Sequence, residues 1–121
     1  MLYFVLLLLN SNLAETSVSV WTSQATNPDG IVCKRKNKRI VLNGYLYYPT
    51  DVSPGATVTV GTVGDSARPS RATTIIVGVL ANDQTTQGFT IGTINVNGLI
   101  IAKNPLNVNA KHFYFDAVWD V

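Results

Sequence analysis

Apolar and polar residues alternate over most of the chain after residue 16, a pattern typical of β-strands that bury one face. Helical periodicity behind a capping residue is absent from the same region. Clusters of Gly, Pro, Asn, Asp and Ser separate the alternating stretches and indicate turns. We therefore predict eight strands, at residues 17–21, 31–36, 39–48, 56–63, 72–81, 89–96, 99–103 and 111–121.

Two hairpins are predicted among these strands. Asn37-Lys38 joins the second strand to the third, and Asn97-Gly98 supplies a type I′ turn between the sixth and the seventh. Gly44 interrupts the third strand and indicates a bulge or a close backbone approach. The turn cluster PTDVSPG should end that strand before residue 49.

The faces of three strands can be assigned from the alternation. One face of the third strand collects Ile40, Leu42, Leu46 and Tyr48. One face of the last strand collects Phe113, Phe115, Ala117 and Trp119. Residues 72–81 carry no charge and many β-branched side chains, which favours a strand covered on both sides.

The spacing of the strands predicts the fold class. Short strands with turns about every eight to twelve residues are typical of antiparallel sandwiches and barrels. We predict an all-β, antiparallel β-sandwich or barrel, jelly-roll-like, of about seven or eight strands. The 121 residues suit one domain with a single core. Its predicted extent is residues 17–121, preceded by an apolar segment at residues 1–16.

The apolar segment allows three interpretations. Its run Leu2–Leu9 is shorter than the roughly 20 residues that span a bilayer, so we predict no membrane insertion. The run has the length of a signal-peptide core, but no Lys or Arg precedes it. A buried or subunit-contacting segment, or a stretch cut from a longer polypeptide, are the other two interpretations.

Charge is sparse and hydrophobicity is high. Nine Lys and Arg against seven Asp and Glu give a net charge of +2, too small for a protein that binds nucleic acid by neutralising phosphates. Five of the nine cations lie in KRKNKR (34–39), which we interpret as a solvated hairpin tip. The hydrophobic fraction of 46% favours burial of apolar surface between copies of the chain, and we predict a homotrimer.

The residues for catalysis or metal binding are few. A single Cys33 and a single His112 exclude an intramolecular disulfide and a cysteine-rich metal site. Gly-rich phosphate loops and the common hydrolase motifs are absent. Asp116 and Asp120 lie roughly 13 Å apart on a strand, too far to act together in glycoside hydrolysis. We predict a protein that is not an enzyme and has no cofactor or metal.

Saccharide binding is the chemistry that the polar residues suit best. Neutral sugars need a flat apolar surface ringed by hydrogen-bonding groups. A polar loop and one face of the last strand offer both, and the predicted saccharide-binding residues are Asn82, Asp83, Gln84, His112, Tyr114 and Asp116. A solvated loop and an ordinary exposed strand face are the alternative interpretation. The next candidates are Tyr45 and Tyr47.

Five segments then follow one another along residues 30–121. They are I-V-C-K-R-K-N-K-R-I-V-L-N-G-Y-L-Y-Y, T-V-T-V-G-T-V, A-R-P-S-R, G-T-I-N-V-N-G-L-I and F-Y-F-D-A-V-W-D-V. In this order they resemble a domain at the C-terminal ends of bacteriophage tail-fibre and baseplate proteins, including receptor-binding heads, of phages that infect Gram-positive bacteria. The chain departs from that pattern at V-G-D-S-A (63–67), where the family has P-x-G-Y before Arg-Pro-Ser.

The resemblance implies an all-β head, commonly a homotrimer, that attaches to a host cell-surface saccharide without catalysis. It implies other tail proteins as partners and the virion as the location. Arg-Pro-Ser would then be a structural corner at the end of a loop. Two alternatives remain: a small secreted adhesin or carbohydrate-binding module, which Leu2–Leu9 favours, and an accessory domain of a tail-associated cell-wall hydrolase.

Overall fold

A computed structural model describes residues 15–121, so all but the last two residues of the predicted apolar segment (1–16) lie outside the described residues. Within this range nine strands and one short 3₁₀ turn, Asp65–Ala67, form the fold, and no α-helix occurs. The strands are β1 (Thr16–Ser17), β2 (Val20–Trp21), β3 (Ile31–Lys36), β4 (Arg39–Val52), β5 (Thr57–Val63), β6 (Thr73–Ala81), β7 (Gln87–Ile94), β8 (Leu99–Lys103) and β9 (Ala110–Asp120).

All nine strands belong to one antiparallel sheet that is strongly curled into a half-barrel. Their order is β1-β3-β4-β9-β6-β7-β8-β5-β2. The predicted all-β antiparallel fold is confirmed. The core lies on the concave side of a single sheet, because curling lets one sheet enclose its own apolar face.

The first predicted strand, 17–21, is in fact two strands of two residues that lie at opposite edges of the sheet. Ser17 pairs with Lys34 on β3, whereas Val20 pairs with Val63 on β5. Between them the Val18 amide donates to the Cys33 carbonyl at 2.9 Å, and Ser19 accepts from the Gly64 amide at 2.8 Å. This short segment therefore links the two edges of the half-barrel.

The β3–β4 hairpin forms as predicted around Asn37 and Lys38, with Asn37 in the left-handed region at φ 59°. Ile40, Leu42 and Leu46 are buried and the half-buried Tyr48 packs against the core, so the predicted inner face is confirmed. The predicted end of the strand was wrong, because β4 continues through residues 49–52. Pro49 is tolerated there because the ladder with β9 is irregular between Tyr47 and Val52, where a missing N–H costs little.

The hairpin of β7 and β8 is also confirmed, but its turn is not type I′. Only Gly98 has a positive φ, of 86°, and its amide donates to the Asn95 carbonyl at 2.8 Å. This pattern is a turn through Val96 and Asn97 followed by a left-handed glycine, the usual three-residue hairpin loop. The Asn-Gly pair was correctly assigned to a turn, but its position within the turn was shifted by one residue.

Strand β6 is covered on one side only, so the predicted double coverage was wrong. Ile75, Val77 and Val79 are buried on the inner side, whereas Ile76 is 68% exposed on the outer side. β6 pairs with β9 on one edge and β7 on the other, so it is central in the sheet. A central strand without charges has the same sequence pattern whether protein covers its outer side or leaves it open.

The closing strand β9 packs its predicted face into the core. Phe113, Phe115, Ala117 and Trp119 are all buried. The Trp119 indole Nε1 donates to the Ala67 carbonyl at 2.7 Å, which anchors the loop that contains Arg-Pro-Ser.

The same loop is held from two further directions. Arg35 Nη1 donates to the Ser66 carbonyl at 2.7 Å, and Arg68 pairs with Asp65 at 2.9 Å. Pro69 is buried, whereas Arg71 is exposed. These contacts support the interpretation of Arg-Pro-Ser as a structural corner.

At the other end of the sheet, the loop before β9 is organised by one fully buried side chain. Asn104 Nδ2 donates to the carbonyls of Val52 and Val108, both at 2.9 Å. Its Oδ1 accepts from the Leu106 amide at 2.9 Å. The buried amide group is therefore satisfied through three hydrogen bonds to the backbone.

Candidate functional site: an aromatic groove on the outer sheet face

Four neighbouring strands, β4, β9, β6 and β7, form a continuous outer face opposite the core. Their register places Tyr45, Tyr114, Gly78 and Phe89 in one row across the sheet. Three of these four positions carry aromatic rings that are at least 40% exposed, and Phe89 is 78% exposed. The outer face therefore presents a line of rings interrupted at its centre by a glycine.

The ring of Tyr45, at one end of this row, lies against the backbone of Gly30. Gly30 has a φ of 92°, and a Cβ added there would lie 2.6 Å from Tyr45 Cζ. The absence of a side chain lets the Tyr45 ring lie directly over the backbone. The ring of Tyr45 is 5.8 Å from that of Tyr114, with the two planes tilted by 40°.

Gly78 forms the floor between Tyr114 and Phe89. A Cβ at Gly78 would lie 3.4 Å from Tyr114 Cβ and 3.7 Å from Phe89 Cε1. Any larger side chain would fill the space between the two rings. The glycine therefore opens a gap between two aromatic walls, and the backbone is its base.

Three shallow depressions of about 280, 320 and 310 Å³ follow one another along this gap. The first and second share Gly78, Phe89 and Tyr114 in their lining. The second and third share Ile76 and Asp116. Together they form a groove along the outer side of β6, bounded by β9 and β7, which we call the β6 groove.

The predicted site residues on β9 lie on this outer face. Tyr114 and Asp116 are exposed and line the β6 groove. His112 is half-buried, and its ring packs edge-on against that of Tyr47 with the ring centroids 4.8 Å apart. The His112 Nδ1 atom is buried and has no hydrogen-bond partner among the described residues. The structure thus brings His112, Tyr114 and Asp116 to one surface, as the alternation predicts.

The predicted site residues in the loop 82–86 lie beyond one end of the groove, where β6 turns into β7. Asn82 Nδ2 donates to Asp51 Oδ1 at 2.7 Å. Asp83 accepts from the amides of Thr85 and Thr86 and from the Thr86 hydroxyl, each at 2.8 Å. Gln84 has a φ of 61° and an exposed side chain.

The Asp83 hydrogen bonds change its acidity. The Thr86 amide, followed by the Thr85 amide, stabilises the ionised carboxylate and lowers the pKa of Asp83 from 3.8 to about 2. Because both carboxylate oxygens already accept hydrogen bonds inside the loop, Asp83 shapes the loop and offers few free lone pairs to a ligand.

Sequence reasoning missed Gly78, Phe89, Ile76 and Ile91 as residues of this surface. Ile91 and Ile76 are 72% and 68% exposed and continue the groove beyond Asp116. The alternation of Phe89 and Ile91 with Thr90 places both side chains on one face, but it does not say whether that face is inner or outer. A glycine in the middle of a β-branched run was the one local signal of a close approach.

Two features of the described part of the chain bear on its reactivity. Residues 15–121 contain no cluster of three or more His, Cys, Asp and Glu that could hold a metal ion. Cys33 is buried, and desolvation raises the pKa of its thiol to about 11, so it is protonated at neutral pH. It lies on the inner side of β3, while His112 lies on the outer face.

Comparison with known proteins does not assign the chain to a family. No family model, curated protein or solved structure matches the chain. Among the described residues, no helix has the length and apolar character needed to cross a membrane.

Proposed function

We propose that this chain is a non-catalytic attachment domain that binds a saccharide in the β6 groove. The observation that supports this most is the open gap over Gly78 between the rings of Tyr114 and Phe89. A sugar ring has apolar faces and hydroxyl groups around its edge, so it fits between aromatic walls whose rim carries polar groups.

The rim of the groove has such groups. The Tyr114 hydroxyl, the Asp116 carboxylate and the Gln87 amide belong to residues that line it. A carboxylate and an amide each orient neighbouring hydroxyls, because the first accepts hydrogen bonds and the second both donates and accepts them. Asp116 forms no ion pair with any described Lys or Arg side chain, so its oxygens are available.

The scaffold favours binding as well. The groove residues lie on paired strands in the middle of the sheet, not on its loops. A ligand that binds to paired strands does not have to order a loop backbone, so less conformational entropy is lost on binding.

The biological setting is part of the same proposal. The order of the five sequence segments supports a phage tail head, assembled as a homotrimer with other tail proteins in the virion and attached to the surface of a Gram-positive host. A secreted adhesin or carbohydrate-binding module, or an accessory domain of a cell-wall hydrolase, would use the same groove. Neighbouring genes for tail, holin or lysin proteins favour the first or the third setting, and their absence favours the second.

The test is binding to glycan arrays and to purified cell-wall polysaccharide from Gram-positive bacteria. We expect Tyr114→Ala and Phe89→Ala to weaken binding several-fold, because each removes one wall of the gap. Both side chains are exposed, so the melting temperature should stay nearly unchanged.

Val32→Ala is the matched control, since Val32 is 52% exposed on β3 and does not line the groove. It should bind as the unmodified protein does. Absence of binding to every glycan, or equal binding by all three variants, would contradict the proposed function.

A further inference from the structure

The β6 groove is elongated along the strand. It extends from Leu80 and Gln87 at one end to Thr74 and Val118 at the other. Six strand steps separate Leu80 from Thr74, which corresponds to about 20 Å. A single sugar ring fills only part of this length, whereas a linear chain of several rings fills it all.

Most of the cations of the chain lie near one end of the groove. Seven of the nine Lys and Arg residues lie around the β3–β4 turn and the loop before β6, and we call this group the basic end: Lys34, Arg35, Lys36, Lys38, Arg39, Arg68 and Arg71. The contact between Arg35 and the Ser66 carbonyl joins the two parts.

Few acids balance this group. Asp65 pairs with Arg68, Asp120 pairs with Arg39 at 3.8 Å, and Glu15 precedes Thr16, which is paired with Arg35. Seven cations against three of the seven acids leave a net charge of +4 at the basic end. Two cations and four acids leave −2 on the rest of the molecule.

The groove opens towards the basic end. Arg71 precedes Thr74 by three residues, and Arg39 is paired with Asp120, two residues beyond Val118. Opposite charges separated by less than a Debye length, about 8 to 10 Å at physiological ionic strength, still attract one another. An anionic group on a chain that leaves the groove here would meet a positive potential.

From this geometry we infer that the ligand is a linear acidic saccharide chain that lies along β6, with sugar rings between Tyr114 and Phe89 and an anionic group at the basic end. This inference rests on the proposed function and adds to it the length, direction and charge of the ligand. Carboxylate and phosphate groups are both anionic, and a binding series with each of them distinguishes the two.

Asp116 sets the register of such a chain. Its carboxylate lies midway along the groove and repels a negative group placed beside it. The acidic groups therefore belong beyond Thr74, while hydroxyls face Asp116. Asp116→Asn should then tighten binding of the acidic chain, because it removes the repulsion and keeps a hydrogen-bonding side chain.

The experiment is a binding series with linear glycans of one to eight rings. It includes neutral linear glycans, the same glycans ending in a single uronic acid, and the same glycans ending in a single phosphate. We expect affinity to rise with chain length until the groove is filled, and the acidic chains to bind about tenfold more tightly than neutral chains of equal length at low salt. This advantage should disappear as ionic strength rises.

Three variants separate the groove from the basic end. Arg71→Gln should weaken binding of acidic chains about threefold and leave neutral chains unchanged. Lys103→Gln removes the same charge from the last residue of β8, which does not line the groove. It should change binding of neither acidic nor neutral chains. Gly78→Val fills the gap between Tyr114 and Phe89, so it should weaken binding of acidic and neutral chains alike.

The outcomes are distinguishable. Equal affinity for acidic and neutral chains, or for one ring and six, would overturn the inference and leave the proposed function standing. No binding to any glycan would overturn both. Equal or tighter binding of a DNA oligonucleotide, unaffected by Gly78→Val, would show a general polyanion surface at the basic end and would also overturn the inference.

Discussion

Gly44 shows how a single residue determines the local geometry of the sheet. It lies in the middle of β4 with a φ of 119°, and a Cβ there would collide with the carbonyl of Gly30 and lie 2.9 Å from its carbon. The Gly30 carbonyl oxygen in turn accepts a hydrogen bond from the Tyr45 amide nitrogen at 2.8 Å. This close approach, which the sequence indicated, also places Gly30 under the ring of Tyr45.

We expect Gly44→Ala to destabilise the protein by at least about 3 kcal/mol, because it combines a backbone collision with an unfavourable φ. Gly55→Ala is the control: its φ is 78°, but nothing lies within 4 Å of an added Cβ. It should cost only about 1 kcal/mol, the price of the left-handed conformation alone. Urea denaturation measures both, and equal losses would contradict the role of the contact with Gly30.

At the level of elements, the β6–β7 loop is held by Asp83 and not by apolar packing. Its carboxylate accepts hydrogen bonds from two backbone amides and one hydroxyl, all on Thr85 and Thr86. This arrangement fixes the turn that follows Leu80 and precedes Gln87, the residues at one end of the β6 groove. The loop therefore depends on an ionised side chain.

The stabilising effect of Asp83 should depend on pH. Its pKa in the folded state is about 2, below the ordinary value of 3.8, so the contribution is complete above about pH 5 and is lost as the pH falls through 3.8 to below 2. We expect the wild type to melt at a higher temperature than Asp83→Asn at pH 6, and most of this difference to be lost by pH 2. A difference that stays constant from pH 6 to pH 2 would contradict this assignment.

At the scale of the whole molecule, the outer face leaves unusually large apolar side chains exposed. Ile76, Phe89 and Ile91 are each at least 68% exposed on neighbouring strands. Large exposed apolar patches mark sites of ligand or subunit binding. The proposed homotrimer and the proposed saccharide site therefore compete for this surface unless the subunits meet elsewhere.

We expect light scattering at micromolar concentration to give three times the mass of one chain. If the β6 groove binds saccharide, the subunits of a trimer meet elsewhere, so Phe89→Lys should remain a trimer. A monomeric wild type would contradict the homotrimer. A trimeric wild type with a monomeric Phe89→Lys would assign the outer face to subunit contact instead of saccharide binding.

Part of the candidate site could be predicted from the sequence. The two-residue period of β9 placed His112, Tyr114 and Asp116 on one face, and the opposite face was apolar enough to identify the core. The loop residues could be recognised as polar, but their hydrogen bonds could not. The internal bonds of Asp83 span Gln84, and the sequence gives no sign of the positive φ of that glutamine.

The sequence by itself determined the all-β class, the two hairpins and the inner faces of β4 and β9, because these follow from local alternation and turn chemistry. Only the tertiary structure decided that β1 and β2 pair at opposite edges of one curled sheet. It also decided that the outer side of β6 lies open and that Gly78 meets Tyr114 and Phe89. These features depend on register between strands far apart in the chain, and pairing over such distances leaves no mark in the local pattern.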